Sequence, residues 1–97
     1  MTATDQLTRD YRVAFLAYLP RRAEAALHRG YELGRAAVTG GLSILEVVRV
    51  HHEVLVEVLR ETPVDEVPDV AGAASEFLIE VLSTSDMAQR GLLARRR

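Results

Sequence analysis

The chain has 97 residues, a formal net charge of −2 and no cysteine, and all twelve of its basic residues are arginine. That length gives one domain, which buries only about 60–65% of the surface of its unfolded chain. The composition excludes disulfides and thiolate metal sites, and a pI near 5.9 excludes the basic footprint of a nucleic-acid or anionic-membrane binder. No apolar run reaches the ~18–20 residues that span a bilayer. The opening MTATDQLTRD lacks the basic flank and apolar core of a signal peptide, so a cytoplasmic location is expected.

The pattern predicts an all-α, four-helix domain occupying residues 1–97. A first helix, about 4–19, carries Leu7, Tyr11, Ala14, Phe15 and Tyr18 on one face, with Thr4 or Asp5 placed to cap it. Pro20 ends that helix and suits the first turn of the next. The second, about 21–39, presents Ala23, Ala26, Leu27, Gly30, Leu33, Gly34, Ala37 and Val38. Two interior glycines each cost about 1 kcal/mol relative to alanine, so Gly30-x-x-x-Gly34 implies close helix packing. Gly40-Gly41 is the strongest stop signal in the chain.

The third helix, about 43–61, opens on the capping box Ser43-x-x-Glu46. Glu46, Arg49, Glu53, Glu57 and Arg60 recur at steps of three and four and mark one charged stripe. The rest is apolar and rich in valine, which favours strands, but a strand would alternate every second residue. A helix apolar around most of its circumference needs cover on more than one side, and in so short a chain the second cover is expected to be another copy. Val47, Val48, His51, Val54, Leu55 and Val58 are therefore assigned to the core and dimer contacts. After Pro63 and an acidic connection, a fourth helix, about 68–90, buries Val70, Ala74, Phe77, Leu78, Val81 and Leu82. Ser83-Thr84-Ser85-Asp86 is a candidate interruption, and residues 92–97 are expected to fray.

Catalytic constellations are not found. His51-His52-Glu53 lacks the second zincin histidine four residues on, and neighbouring side chains on a helix point about 100° apart. One of these histidines is expected in the core or an interface and the other at its edge. Glu24, His28 and Glu32 share a face with Arg35 nearby, which reads as a solvated, mutually paired surface. No enzyme activity, metal or cofactor is expected. Ile79 breaks the pattern of the fourth helix by lying away from the core arc, near Glu76, Glu80 and Ser83. An aliphatic side chain with a polar rim suits a docking spot; a second core contact is the alternative. A ligand- or metal-sensing bundle around His51 and His52 is the alternative overall function. A helix-turn-helix DNA binder is disfavoured by the acidic pI and the valine-rich third helix.

The segments YRVAFLAYL, YELGRAAVTGGLSILEVVRVHHEVL and EFLIEVLSTSDMAQRG together resemble the N-terminal domain of RsbU-type PP2C phosphatases of the bacterial general stress response. The resemblance runs from about Leu7 to Gly91, and His51 and the FLIEV run are its most specific parts. It implies a four-helix domain that dimerises and binds a switch kinase of the GHKL type, the RsbT class, to turn the phosphatase on. The kinase-docking positions of the family fall here on His28, Ile79 and Ser83. His28 and Ser83 depart from the tyrosine and aliphatic residue of the best-known member. Glu24, beside His28, and Glu76 and Glu80, beside Ile79, complete the expected partner-facing set. The PP2C domain is not in the chain, which leaves a detached regulatory domain or a freestanding relative.

Overall fold

The computed structural model describes residues 2–95, which form α1 (Ala3–Tyr18), α2 (Glu24–Thr39), α3 (Ile44–Arg60), a 3-10 turn at Val64–Glu66, and α4 (Val67–Arg95). No strand occurs among the described residues. Local chemistry sets most of the boundaries. α1 starts two residues earlier than Thr4/Asp5 capping implied: Thr2 is the N-cap, and its hydroxyl and the Asp5 carboxylate satisfy each other's backbone N–H. At Gly40-Gly41 a Schellman motif forms, with the Leu42 N–H bonded to Ala37 O and the Gly41 N–H to Val38 O. Gly41 takes the left-handed conformation the motif requires, at φ 79°.

Three expectations are corrected. Pro20 does not open α2. Instead Arg22 adopts φ 48°, its N–H bonds Tyr18 O, and α2 begins only at Glu24. The Arg22 guanidinium reaches α4, where it bonds the Asp69 carbonyl and pairs with Glu76 at 3.3 Å. Second, Ser83–Asp86 does not interrupt α4, which runs unbroken to Arg95. The Ser83 hydroxyl donates back to Glu80 O at 2.7 Å, and Asp86 pairs with Arg90 one turn on at 3.0 Å, so these polar groups are satisfied inside the helix. Of the tail expected to fray, Leu92–Arg95 is helical, and Arg96 and Arg97 lie outside the described residues. Third, Ala23 and Val38 are exposed rather than core, whereas Ala73, not expected inside, is buried.

The core is an aromatic cluster around Phe77 of α4. Tyr11, Phe15 and Tyr18, one per turn of α1, surround it at centroid distances of 5.3, 5.6 and 5.7 Å. Val47, Val50 and Val54 of α3 and Ala37 of α2 close the cluster. α2 meets α4 through its glycines. A Cβ on Gly30 would lie 3.0 Å from the Phe77 ring and 3.3 Å from the Val81 side chain, and one on Gly34 would overlap the Val81 backbone carbonyl. Gly34, which meets backbone, is thus the condition for this close crossing, while Gly30 meets only side chains; the close packing of the pair is what their spacing implied.

α1 and α3 run in the same direction, joined by Thr4–Glu46 at one end and Arg12–Glu57 further along. The first contact explains why the capping box of α3 is only half formed. Ser43 Oγ accepts the Glu46 N–H, while Glu46 Oε2 turns away to accept the Thr4 hydroxyl. At 29 residues, α4 is about 43 Å long at 1.5 Å per residue. It outruns the three shorter helices, and every residue from Asp86 to Ala94 is exposed.

Candidate partner-docking surfaces

Of the two adjacent histidines, His51 is inward and His52 outward. His51 Nδ1 lies 2.7 Å from the hydroxyl of Tyr11, which is fully buried, and the imidazole sits edge-on to the rings of Tyr11 and Phe15. Burial, with the adjacent His52 as a second cause, holds the His51 imidazole below its ordinary value and so neutral. Burial pushes the Tyr11 hydroxyl the other way, well above the usual phenol range. A neutral imidazole facing a protonated phenol is a satisfied core hydrogen bond. It commits His51 to the fold rather than to a ligand.

The residues assigned to core and dimer contacts divide. Val47, His51 and Val54 are buried in the single chain, and Leu55 and Val58 pack half-buried against the core. Val48 stands apart at 39% exposure, beside Ile44 at 48% and Leu45 at 71%. The second apolar side of α3 is therefore real, and no described residue covers it.

Ile79 is 70% exposed, which removes the core-contact alternative within the chain. Phe77 and Ile79 are two residues apart, about 200° around α4, so Ile79 faces away from the edge covered by α2. Ser83, one turn on, is half-buried and Glu80 partly so. Glu76 shares this side of the helix, but its carboxylate is already engaged, accepting from the Tyr18 hydroxyl at 3.1 Å and pairing with Arg22. His28 and Glu24 are exposed on α2. The His28 ring stacks on Tyr31 at 5.6 Å and lies 3.7 Å from Glu32. The expected partner-facing residues thus form two stripes, one on α4 and one on α2, and no hydrogen bond or ion pair joins them. Between the stripes α2 and α4 lie close, touching at Gly30 and Gly34. A partner would lie across their outer surfaces.

Other chemistry has little to work with. Among the described residues, no group of three or more His, Asp or Glu side chains could hold a metal ion. A surface concavity of about 610 Å³ lies where the C-terminal ends of α1 and α3 meet the start of α4, with Leu19, Val58 and Val70 among its lining. Neither His51 nor His52 lines it. No helix is long and apolar enough to cross a membrane among the described residues.

Fold and surfaces together define a small all-helical domain whose unusual features are exposed apolar stripes rather than a reactive cleft. Residues 9–88 match the family described as phosphoserine phosphatase RsbU, N-terminal domain, and the chain belongs to that family. The family is a regulatory domain of stress-response phosphatases, and the 97 residues hold this domain without a PP2C catalytic domain. Neither the curated proteins nor the solved structures yield a match to the chain.

Proposed function

We propose that this domain is a non-catalytic dimerisation and docking unit in bacterial partner-switching stress signalling. It binds an RsbT-like switch kinase of the GHKL class in the cytoplasm and so activates a PP2C-type phosphatase. The observation that carries this proposal is Ile79, an aliphatic side chain 70% exposed on a helix whose core edge is otherwise filled. It coincides with a kinase-docking position implied by the family. An apolar anchor within a polar rim is how protein interfaces concentrate their binding energy. Here Glu80 and Ser83 supply the rim, while His28 and Glu24 on α2 form a second, separate contact.

The docking stripe lies on the helix that leaves the bundle. α4 continues from Ile79 to Arg95 without a break, so a partner seated on Ile79 sits on the element that would lead toward an effector. The test is calorimetric titration of the chain with a switch kinase from the same genome, using wild type and Ile79→Asp. The variant should keep its oligomeric state and helicity while its affinity falls by about tenfold or more. Unchanged binding by the variant, or no binding by wild type, would sink the docking assignment.

A further inference from the structure

The exposed side of α3 has an internal symmetry. Along it stand Leu45, Val48 and His52, which are exposed, and Val56 and Leu59, which are half-buried, with the exposed Ile44 just outside their arc. At about 100° per residue these five fall within one arc of about 80°, separate from the buried arc of Val47, Val50, His51 and Val54. Counted from His52, they stand at −7, −4, +4 and +7. The residue types are symmetric too: leucine, valine, histidine, valine, leucine. A surface of this kind is complementary to itself when a second copy is turned through a two-fold axis.

We propose that α3 pairs antiparallel with α3 of a second copy, about a two-fold axis passing beside His52. This rests on the dimer proposed above and specifies its contact surface and register. Leu45 of one protomer then lies over the partner's Leu59, and Val48 over the partner's Val56. The two His52 side chains meet at the axis.

The charges along the rim of this face support the same register. Glu46, Arg49, Glu53 and Arg60 all lie along one edge of the arc, and none of them makes an ion pair within the described residues. A two-fold axis of this kind brings like edges together. Arg49 then comes within about 3 Å of axial alignment with the partner's Glu53, against a single approach of the two Glu53 side chains at the same offset, and Glu46, whose carboxylate also accepts from Thr4, comes within a similar offset of the partner's Arg60. Each attraction occurs twice. In a parallel pairing the same edge does not oppose itself, and this reciprocity is lost. Two 17-residue helices make a contact at or below the lower end of stable interfaces, about 1,200 Å², so assembly should depend on concentration in an accessible range.

The chain contains no cysteine, which gives a direct test. His52→Cys should form a disulfide-linked dimer under mild oxidation, because only a position at the axis meets its own copy. Ser75→Cys, exposed on α4, should not. In light scattering after size exclusion, wild type should be dimeric. Arg49→Glu should weaken self-association by about tenfold or more, and adding Glu53→Arg should restore it. Both residues are exposed, so neither change disturbs the core. A dimer that ignores Arg49→Glu, or that leaves Cys-substituted position 52 uncrosslinked, overturns this surface while the dimer itself stands. A wild-type chain that stays monomeric overturns both.

Discussion

Gly34→Ala isolates the contact on which the packing of α2 against α4 depends. In an isolated helix the change is favourable by about 1 kcal/mol. Here the added Cβ would overlap the Val81 carbonyl oxygen and lie 2.8 Å from its carbon and 3.2 Å from its Cα. All three are backbone atoms, and a helix backbone cannot rotate aside. The helices must separate, which also loosens Phe77 and Val81 in the core. Overpacking of this kind costs about 1–3 kcal/mol, and this case belongs at or above the upper end because backbone is struck. After the propensity gain, a net loss of about 2 kcal/mol or more remains. For a domain of this size each kcal/mol is worth about 4–8 °C in Tm, so the variant should melt at least roughly 8–16 °C lower. Gly30→Ala is the internal control. Its Cβ would meet only side-chain atoms, the Phe77 ring at 3.0 and 3.1 Å and Val81 Cγ2 at 3.3 Å, which can shift by a few tenths of an ångström. It should lie within about 1 kcal/mol of wild type. Thermal and urea unfolding followed by circular dichroism measures both. A Gly34→Ala variant as stable as wild type would refute the close crossing.

Other outcomes follow from single buried groups. Tyr11→Phe leaves His51 Nδ1 without its 2.7 Å partner and should cost about 1–3 kcal/mol in urea unfolding. Adding His51→Leu should recover part of that loss, because an apolar pair leaves nothing unsatisfied. The same histidine gives a pH dependence. Its folded value lies below the unfolded one, so the unfolded state binds more protons as pH falls below about 6.5. Stability should be complete above that pH and decline as the pH drops toward the lowered folded value. The decline should be shallower in the Tyr11→Phe/His51→Leu protein. Thr84 Oγ1 is buried without a hydrogen-bond partner among the described residues. Thr84→Val should therefore raise stability by roughly 1 kcal/mol, and a clear loss of stability would mean that the hydroxyl has a partner.

The sequence carried the signals that act within a few residues. Gly40-Gly41, the charged stripe of α3 and the period of α1 each specify an element by local chemistry, and each element formed. Ile79 was legible for the same reason, since its place on a helix wheel needs only the helix. What could not be read locally was decided by contacts between elements. Glu46 abandons half of its capping box for Thr4, 42 residues away. Arg22 takes a left-handed backbone, and its side chain bonds α4. Ser83–Asp86 looked like a break because serine, threonine and aspartate compete with the backbone, but inside the helix the Ser83 hydroxyl bonds Glu80 O and Asp86 pairs with Arg90. The separation of the two proposed docking stripes belongs to this group. Gly30-x-x-x-Gly34 announced a close crossing, but only the fold shows that the crossing turns His28 and Ile79 onto separate outer surfaces.

At 10.7 kDa the chain suits amide-resolved NMR, and titrating it with a switch kinase from the same genome tests the central claim most directly. Chemical-shift changes should concentrate on Ile79, Glu80 and Ser83 of α4, with a second group at Glu24 and His28 of α2, while Leu45, Val48 and His52 on α3 stay unmoved. A binding kinase that shifts the α3 face instead, or leaves Ile79 untouched, would contradict the division of this domain into a docking surface and a dimer surface.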